Sequence, residues 1–217
     1  MESLYERRKV MPSSLRNALL AMGCLVASAC SSPSGGSPSD GLPFVEADSM
    51  RSGDLVCRLG DSYFSGIFRR FSGDSERFSH IGVFHREGDS CFVIHADADE
   101  LSGVGGVRKE SLREYLRGAH DHLFARITVD SIRCGVDSVA LDYLLQERPF
   151  DTRFDLSNDS ALYCTELVAV AINKAARDAS LVPAYSLREG FSYYRVDDIL
   201  HCGIVEIDSM RCGKMRD

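Results

Sequence analysis

The sequence predicts an α+β domain, because strand patterns cluster early and late in the folded part and helical patterns lie among them. Short runs with strand character occur at residues 54–59, 80–85, 91–95, 123–129 and 203–207. Apolar residues at helical spacing predict helices within residues 64–71, 112–116, 136–144 and 164–176. The last of these segments is apolar on most sides, so we expect a central, buried helix packed against an antiparallel sheet. We expect the phenylalanines of the first helix to pack in the core.

Length and charge restrict the class of protein. The chain has 217 residues, 44% of them hydrophobic and 26% charged, which is typical of one globular domain with appendages. Its formal net charge of -7 argues against a nucleic-acid partner, which would need a basic face. Because the chain contains no tryptophan, the most common sugar-stacking side chain, a glycan-binding module is also disfavoured.

The first 30 residues have the pattern of an export signal. Basic residues precede an apolar run, residues 18–29, that is too short to span a bilayer permanently. The small residues Ala27, Ser28 and Ala29 then lead to Cys30, as at the processing site of bacterial lipoproteins. We therefore expect a signal peptide at residues 1–30 and a lipid anchor on Cys30. Since serine follows this cysteine, we expect sorting to the outer membrane, facing the periplasm; simple secretion is the alternative.

Residues 31–43 are almost all Ser, Pro, Gly and Asp, which cannot bury a core, so we expect a flexible tether. The folded domain is then residues 44–217, which is long enough to form a core without disulfide bonds.

The cysteines do not have the pattern of a disulfide framework. Of the eight, Cys24 would be removed with the signal, Cys30 lipidated and Cys164 used in chemistry, which leaves an odd number. We expect most of these to be small buried side chains, and a Cys202–Cys212 disulfide is an alternative for two of them. No Cys or His spacing suggests zinc, and we expect neither a metal nor another cofactor.

Candidate catalytic residues begin with Cys164, at the head of the buried helix. The free N–H groups and the dipole of a helix start favour thiolate, and an imidazolium nearby favours it further. The same N–H groups can hold a developing oxyanion. We therefore expect Cys164 to be a nucleophile with a lowered pKa.

Two histidines lie on the strands of a predicted hairpin. If residues 86–89 form a four-residue loop, Phe84 pairs with Cys91 and His80 lies directly opposite His95 on one face of the sheet. One imidazole can then hydrogen-bond the other and fix its tautomer. Gly82, on the same face, leaves room for a close approach.

These segments resemble a known family. Gly53-Asp54-Leu55, His80-Ile81-Gly82-Val83 and Ile94-His95-Ala96 look like the strand block of the NlpC-like cysteine peptidases. In that superfamily the cysteine helix precedes the block, whereas here Tyr163-Cys164-Thr165-Glu166-Leu167 follows it. This order is similar to that of the circularly permuted branch, and above all of its YiiX-like members. Pro149-Phe150-Asp151 and Phe154-Asp155 match the stretch before the nucleophile in those proteins.

The resemblance covers essentially the whole domain and implies a permuted papain-like α+β fold. It implies Cys164 as nucleophile, His80 as base and His95 at the third, orienting position. Many YiiX-like proteins carry Glu at that position, so the group that stabilises the His80 imidazolium is left open. Glu166 is a candidate for this charge, the alternative being that it caps the helix or fixes a loop. Tyr163 is a candidate for the oxyanion pocket.

Three functions are compatible with these observations. The first is a membrane-anchored cysteine hydrolase that cleaves an amide through a thioester, with cell-wall stem peptides as the abundant envelope substrate. The second is a lipid ester or thioester hydrolase, or an acyltransferase, of the permuted lecithin retinol acyltransferase type. Its Asn-Cys-Glu-His-Phe motif is absent here. The third is an inactive envelope lipoprotein that binds a ligand in the same pocket.

Overall fold

The computed structural model describes residues 47–187 and 190–214. The predicted signal peptide, Cys30, the tether and the predicted start of the domain at residue 44 lie outside these residues. Within the described part, no helix is both long and apolar enough to cross a membrane.

The predicted α+β class is confirmed by one large antiparallel sheet with helices packed against it. The strands are β1 (Leu55–Leu59), β2 (His80–Glu87), β3 (Ser90–Ala98), β4 (Gly105–Ser111), β5 (Asp121–Ile127), β6 (Tyr185–Ser186), β7 (Ser192–Tyr193) and β8 (Val205–Lys214). Six of them form the main sheet in the order β4-β3-β2-β1-β5-β8, and β6 pairs with β7 separately. Neither β4 nor the β6–β7 pair was predicted from the sequence.

The helices are α1 (Tyr63–Phe68), α2 (Leu112–Tyr115), α3 (Asp130–Leu145), α4 (Cys164–Ala176) and α5 (Val196–Leu200). A 3₁₀ turn, Arg69–Phe71, continues α1. The bounds of α4 agree with the prediction, whereas α3 begins earlier than its apolar pattern suggested and α5 was not predicted.

The two faces of the sheet bury different cores. Leu55 and Cys57 of β1 face a large core that includes α3 and α4, whereas Val56 between them faces a smaller core with α2. This alternation follows from the two-residue period of a strand. Eight of the thirteen residues of α4 are buried, which makes it the central helix that the sequence predicted.

Five of the described cysteines carry free thiols. Among them only Cys57 is fully buried, while Cys134 is exposed, so the expectation that the spare cysteines are buried side chains is largely wrong. Cys202 has a free thiol, and the Cys202–Cys212 disulfide is therefore not formed.

The Gly53-Asp54 pair is a structural element just before the first strand of the sheet. Gly53 has a φ of +92°, and a Cβ at this position would lie 1.9 Å from the carbonyl oxygen of Arg133. The carboxylate of Asp54 is fully buried and accepts hydrogen bonds from the N–H groups of Arg51 (2.8 Å) and Ile127 (3.0 Å). This part of the motif therefore joins β1 to β5 and α3 rather than contributing to a reaction.

The β2–β3 hairpin has a different register from the predicted one. Its turn contains two residues, Gly88 and Asp89, and Glu87 pairs with Ser90, so that Phe84 pairs with Val93. Gly88 has a φ of +56°, as a two-residue hairpin turn requires. The prediction was wrong because Arg86 and Glu87 look like loop residues but continue β2. The error of two residues preserves the face on which every side chain lies.

Candidate active site

Cys164 is the first residue of α4. Tyr163 before it is extended, with φ −99° and ψ 172°, so the chain turns into the helix at the cysteine. The N–H groups of Cys164 itself and of Thr165, two of the groups that lack partners at a helix start, both act to lower the pKa of the thiol. The side chain is half-buried and opens on a cleft that His80 also lines.

A third backbone group that acts on the thiol lies in the sheet. The ladder between β2 and β3 ends at the pair of Val83 and Ile94, although β2 remains paired with β1 as far as His80. The N–H of Ile81, which has no ladder partner in β3, also acts to lower the pKa of Cys164. Cys164 therefore lies near the gap between the two strands.

His80 and His95 are in direct contact, as the sequence predicted. Nε2 of His80 lies 2.8 Å from Nδ1 of His95, and the two rings meet edge to face. They are diagonal rather than opposed neighbours, because of the changed register. Gly82 makes the contact possible, since a Cβ there would lie 3.0 Å from the Cβ of His95. The ring of Tyr115 packs against both imidazoles.

A fourth residue, Glu110 of β4, extends this chain of contacts. Its Oε2 lies 3.2 Å from Nε2 of the fully buried His95 without forming a hydrogen bond, so the attraction is mainly electrostatic. Arg108 holds the other carboxylate oxygen at 2.8 Å. A carboxylate beside Nε2 favours the proton there, so Nδ1 of His95 accepts from Nε2 of His80. Nδ1 of His80 is left as the basic nitrogen.

Burial dominates the protonation of the reacting pair. It raises the pKa of Cys164 to about 12, and the negative charge of Asp97 raises it further. Burial also holds the pKa of His80 well below its usual value, followed by the charge of His95. The expected lowering of the thiol pKa is therefore wrong, because desolvation outweighs the three N–H donors. Both side chains still reach the cleft, where burial favours the neutral thiol and the neutral imidazole.

Among the described residues no hydrogen bond joins the sulfur to His80. Such contacts are often long in an enzyme without substrate and shorten when the complex forms.

Alkylation should report this protonation state. Because burial keeps the thiol protonated, iodoacetamide should modify Cys164 more slowly than the exposed Cys134 at pH 7, and the rate at Cys164 should keep rising through the alkaline range. The measurement is the modified fraction of each cysteine peptide against time and pH. If Cys164 reacted faster than Cys134 at pH 6, the pair would not be neutral, and the prediction of a thiolate at Cys164 would be right after all.

Replacing Glu110 by glutamine should weaken the base without unfolding the domain. Contact with His95 lowers the pKa of Glu110, so this carboxylate is charged over the neutral range. Its loss should lower the pKa of the histidine pair and reduce turnover roughly tenfold, which corresponds to a pKa shift of about one unit. The acidic limb of the pH–rate profile should move to lower pH. The control is Glu114→Gln, because the carboxylate of Glu114 binds Arg117 on the surface. An unchanged pH–rate profile for Glu110→Gln would exclude a role of Glu110 in setting the pKa of the histidine pair.

The two remaining sequence candidates have different positions. Tyr163 lines the cleft, and its hydroxyl accepts a hydrogen bond of 2.9 Å from the N–H of Tyr194. Glu166 is buried and accepts from the N–H of Tyr163 at 3.3 Å, so it caps α4. Burial, with Asp151 nearby, raises the pKa of Glu166 to about 9. Glu166 therefore does not supply negative charge to His80 at neutral pH.

The cleft beside Cys164 has a volume of about 280 Å³ and a lining that combines polar and aromatic residues. Phe64 and Phe68 of α1 were predicted to pack in the core, and this is wrong. No residue of α1 is buried, and these two rings line the cleft. The other aromatic residues of the lining are Phe71, Phe150, Phe154, Tyr163, Tyr193 and Tyr194.

The segment before α4 positions one of these rings. Asp151 is buried and accepts hydrogen bonds from the N–H groups of Arg153 (2.8 Å) and Asp155 (2.6 Å). Phe154 between them has a φ of +54°, a strained conformation for a bulky side chain. Its ring centroid lies 4.6 Å from that of Tyr163. The Asp151 and Phe154 motif thus shapes the cleft.

Two parts of the site were missed from the sequence. Glu110 was missed because β4 is a polar edge strand in which only Val107 is buried; the one signal was the two-residue spacing of Arg108 and Glu110. The Ile81 N–H carries no sequence signal, because every residue except proline has such a group.

Comparison with solved structures agrees with this architecture. The fold is α+β of the circularly permuted papain-like kind, with the nucleophile helix after the strand block. One solved structure that the chain resembles is that of the metalloprotein yiiX from Escherichia coli O157:H7. The TM-score is 0.59 and the identity 14%, over 73% of this chain and 96% of that one. The likeness establishes a YiiX-like fold. No family model matches the sequence, and neither does any curated protein.

Proposed function

We propose that the protein is a cysteine hydrolase with Cys164 as nucleophile, His80 as base and His95 as the orienting group. The observation that carries this proposal is that Cys164 and His80 line one cleft, with His80 in contact with His95 and His95 beside Glu110. A hydrolase-type fold alone would not require this arrangement. A buried histidine pair backed by a carboxylate is an arrangement that active sites use to tune a base.

The geometry supports acyl transfer in two steps. The sulfur of Cys164 attacks a carbonyl carbon while Nδ1 of His80 takes the thiol proton. N–H groups at the start of α4 stabilise the oxyanion, and His80 returns the proton to the leaving amine as a thioester forms. Water, deprotonated by His80, then attacks the thioester, releases the acid and restores the thiol. Glu110 stabilises the imidazolium formed in both steps.

An amide is the bond we propose, in a substrate of the cell envelope such as a cell-wall stem peptide. The support is the lipoprotein pattern at Cys30, which would hold the domain near the membrane through its tether. The lipid would place the enzyme at the outer membrane, facing the periplasm.

Cys30 should carry that lipid. Two acyl chains give stable membrane anchoring where one is marginal. Radiolabelled palmitate should enter the native protein and the Cys164→Ala variant equally, and should not enter Cys30→Ala. A native protein that never takes up palmitate, and whose mature N-terminus is not residue 30, would show simple secretion instead.

The yiiX protein is described as a metalloprotein. Among the side chains described, those of residues 47–187 and 190–207, no group of three or more His, Cys, Asp or Glu is placed to hold a metal ion. The residues described do not fit such a site, and the proposed steps use none.

The proposed function is tested by trapping the thioester. The full chain is mixed with envelope peptide extract, quenched in acid and examined by intact-mass spectrometry. An adduct that hydroxylamine removes, and that maps to Cys164, is expected in the native protein and in the Cys202→Ala control. It should be absent from Cys164→Ala. An adduct that persists in Cys164→Ala, or none with any amide or ester tried, would contradict the proposal.

A further inference from the structure

Two rings of the cleft have no role in the packing of the domain. Phe64 and Phe68 are half-buried and belong to none of the three hydrophobic clusters among the described residues. Their helix buries no residue, and its N-cap, Ser62, holds it through the N–H of Ser65 at 3.0 Å. Apolar area left open inside a cleft gains free energy when a ligand covers it.

Other aromatic rings of the cleft are packed against one another, unlike Phe64 and Phe68. Tyr163 and Tyr193 are buried in an aromatic cluster, and the hydroxyl of Tyr163 accepts from the N–H of Tyr194. Phe154, which has a strained backbone, lies against Tyr163. Backbone strain of this kind persists where the surroundings enforce it, and it concentrates at ligand sites. The cleft therefore offers aromatic surface that a flat apolar group can cover.

The rim of the cleft is acidic. Asp61, Asp99 and Glu100 line it. With Asp97, the lining has four carboxylates against two arginines, Arg58 and Arg117, and Arg117 is paired with Glu114 (2.6 Å). The excess of negative charge disfavours a ligand with a negative charge near the reacting carbonyl.

We propose that the cleft is an apolar subsite for a bulky, non-anionic group next to the reacting carbonyl. That a carbonyl reacts at Cys164 rests on the proposed function. Its volume of about 280 Å³ suits one ring or short chain rather than a whole oligopeptide. Among envelope amides, it favours those that carry an apolar, uncharged group next to the scissile bond.

Affinity labelling of Cys164 tests the subsite without requiring turnover. The full chain is treated at pH 8 with N-(2-phenylethyl)iodoacetamide, iodoacetamide or iodoacetate, and rates are measured at Cys164 and at the exposed Cys134. The rate at Cys134 corrects for intrinsic reactivity. After correction, the phenylethyl reagent should label Cys164 about tenfold faster than iodoacetamide, as partial burial of a phenyl ring allows, and iodoacetate should be slowest.

Variants test whether Phe64 and Phe68 cause the preference for the phenylethyl reagent. Phe64→Ala and Phe68→Ala should each remove most of it, whereas Tyr63→Ala should keep it, because Tyr63 is 79% exposed and outside the lining. Glu100→Gln should speed the iodoacetate reaction. Corrected rates that are equal for all three reagents would overturn the subsite. A preference found in a protein that forms no acyl-enzyme would refute the hydrolase and leave the subsite standing. A protein that forms the acyl-enzyme but shows no preference would support the hydrolase and refute the subsite.

Discussion

The Cys164→Ala variant is expected to lose all measurable hydrolysis of whichever substrate forms the acyl-enzyme, and His80→Ala at least a hundredfold. Without the sulfur, no thioester can form. Without the imidazole, a thiol whose pKa is raised to about 12 has no nearby acceptor for its proton. General bases typically contribute roughly 10²–10⁴-fold. The measurement is kcat/KM under conditions where both variants are shown to be folded by circular dichroism.

Matched controls separate chemistry from structure. Cys202→Ala removes another half-buried thiol, and His120→Ala removes an exposed imidazole from the turn before β5. Both should keep native activity. If His80→Ala retained more than a tenth of native kcat/KM, His80 would not be the base and the assignment of Nδ1 would fail with it.

The largest stability effect is expected at Gly53. An alanine Cβ there would overlap the backbone carbonyl of Arg133 at 1.9 Å, and the φ of +92° is itself unfavourable for alanine. Moving α3 away to relieve the overlap would loosen the large core, so we expect a loss of roughly 3–5 kcal/mol in the free energy of unfolding. Urea denaturation followed by circular dichroism measures it.

Gly66 provides the comparison. It lies in α1, and nothing lies within 4 Å of the position where a Cβ would be. Gly66→Ala should therefore leave stability unchanged or raise it by about 0.5–1 kcal/mol through helix propensity. Equal effects of the two substitutions would mean that the turn at Gly53 adjusts freely.

The histidine pair could be predicted from the sequence because strands have a period of two. Two polar residues at the end of β2, Arg86 and Glu87, were assigned to the loop. The predicted register was therefore wrong by two residues, an even number. His80 and His95 stayed on one face, so the prediction of their contact was confirmed although the pairing was wrong. An odd error would have separated them.

The prediction for Phe64 and Phe68 was wrong for a different reason. Helical spacing shows which side chains share a face, but a face can meet a cleft as well as a core. The same limit applies to the thiol. A helix start and a histidine both favour thiolate, and only the surrounding burial shows that desolvation outweighs them. Spacing carries no information about how much water reaches a group.

Because one of the groups that act to lower the pKa of the thiol is the backbone amide of Ile81, part of the candidate site cannot be deleted by changing a side chain. Alanine scanning would pass over it, and position 81 can vary among apolar residues while the function of its N–H is retained. Its contribution becomes visible only when the backbone itself changes, as in an ester linkage introduced at residue 81 by chemical synthesis. In a chain of this fold, part of the candidate site therefore depends on where two strands separate. A comparison of residue identities does not show this.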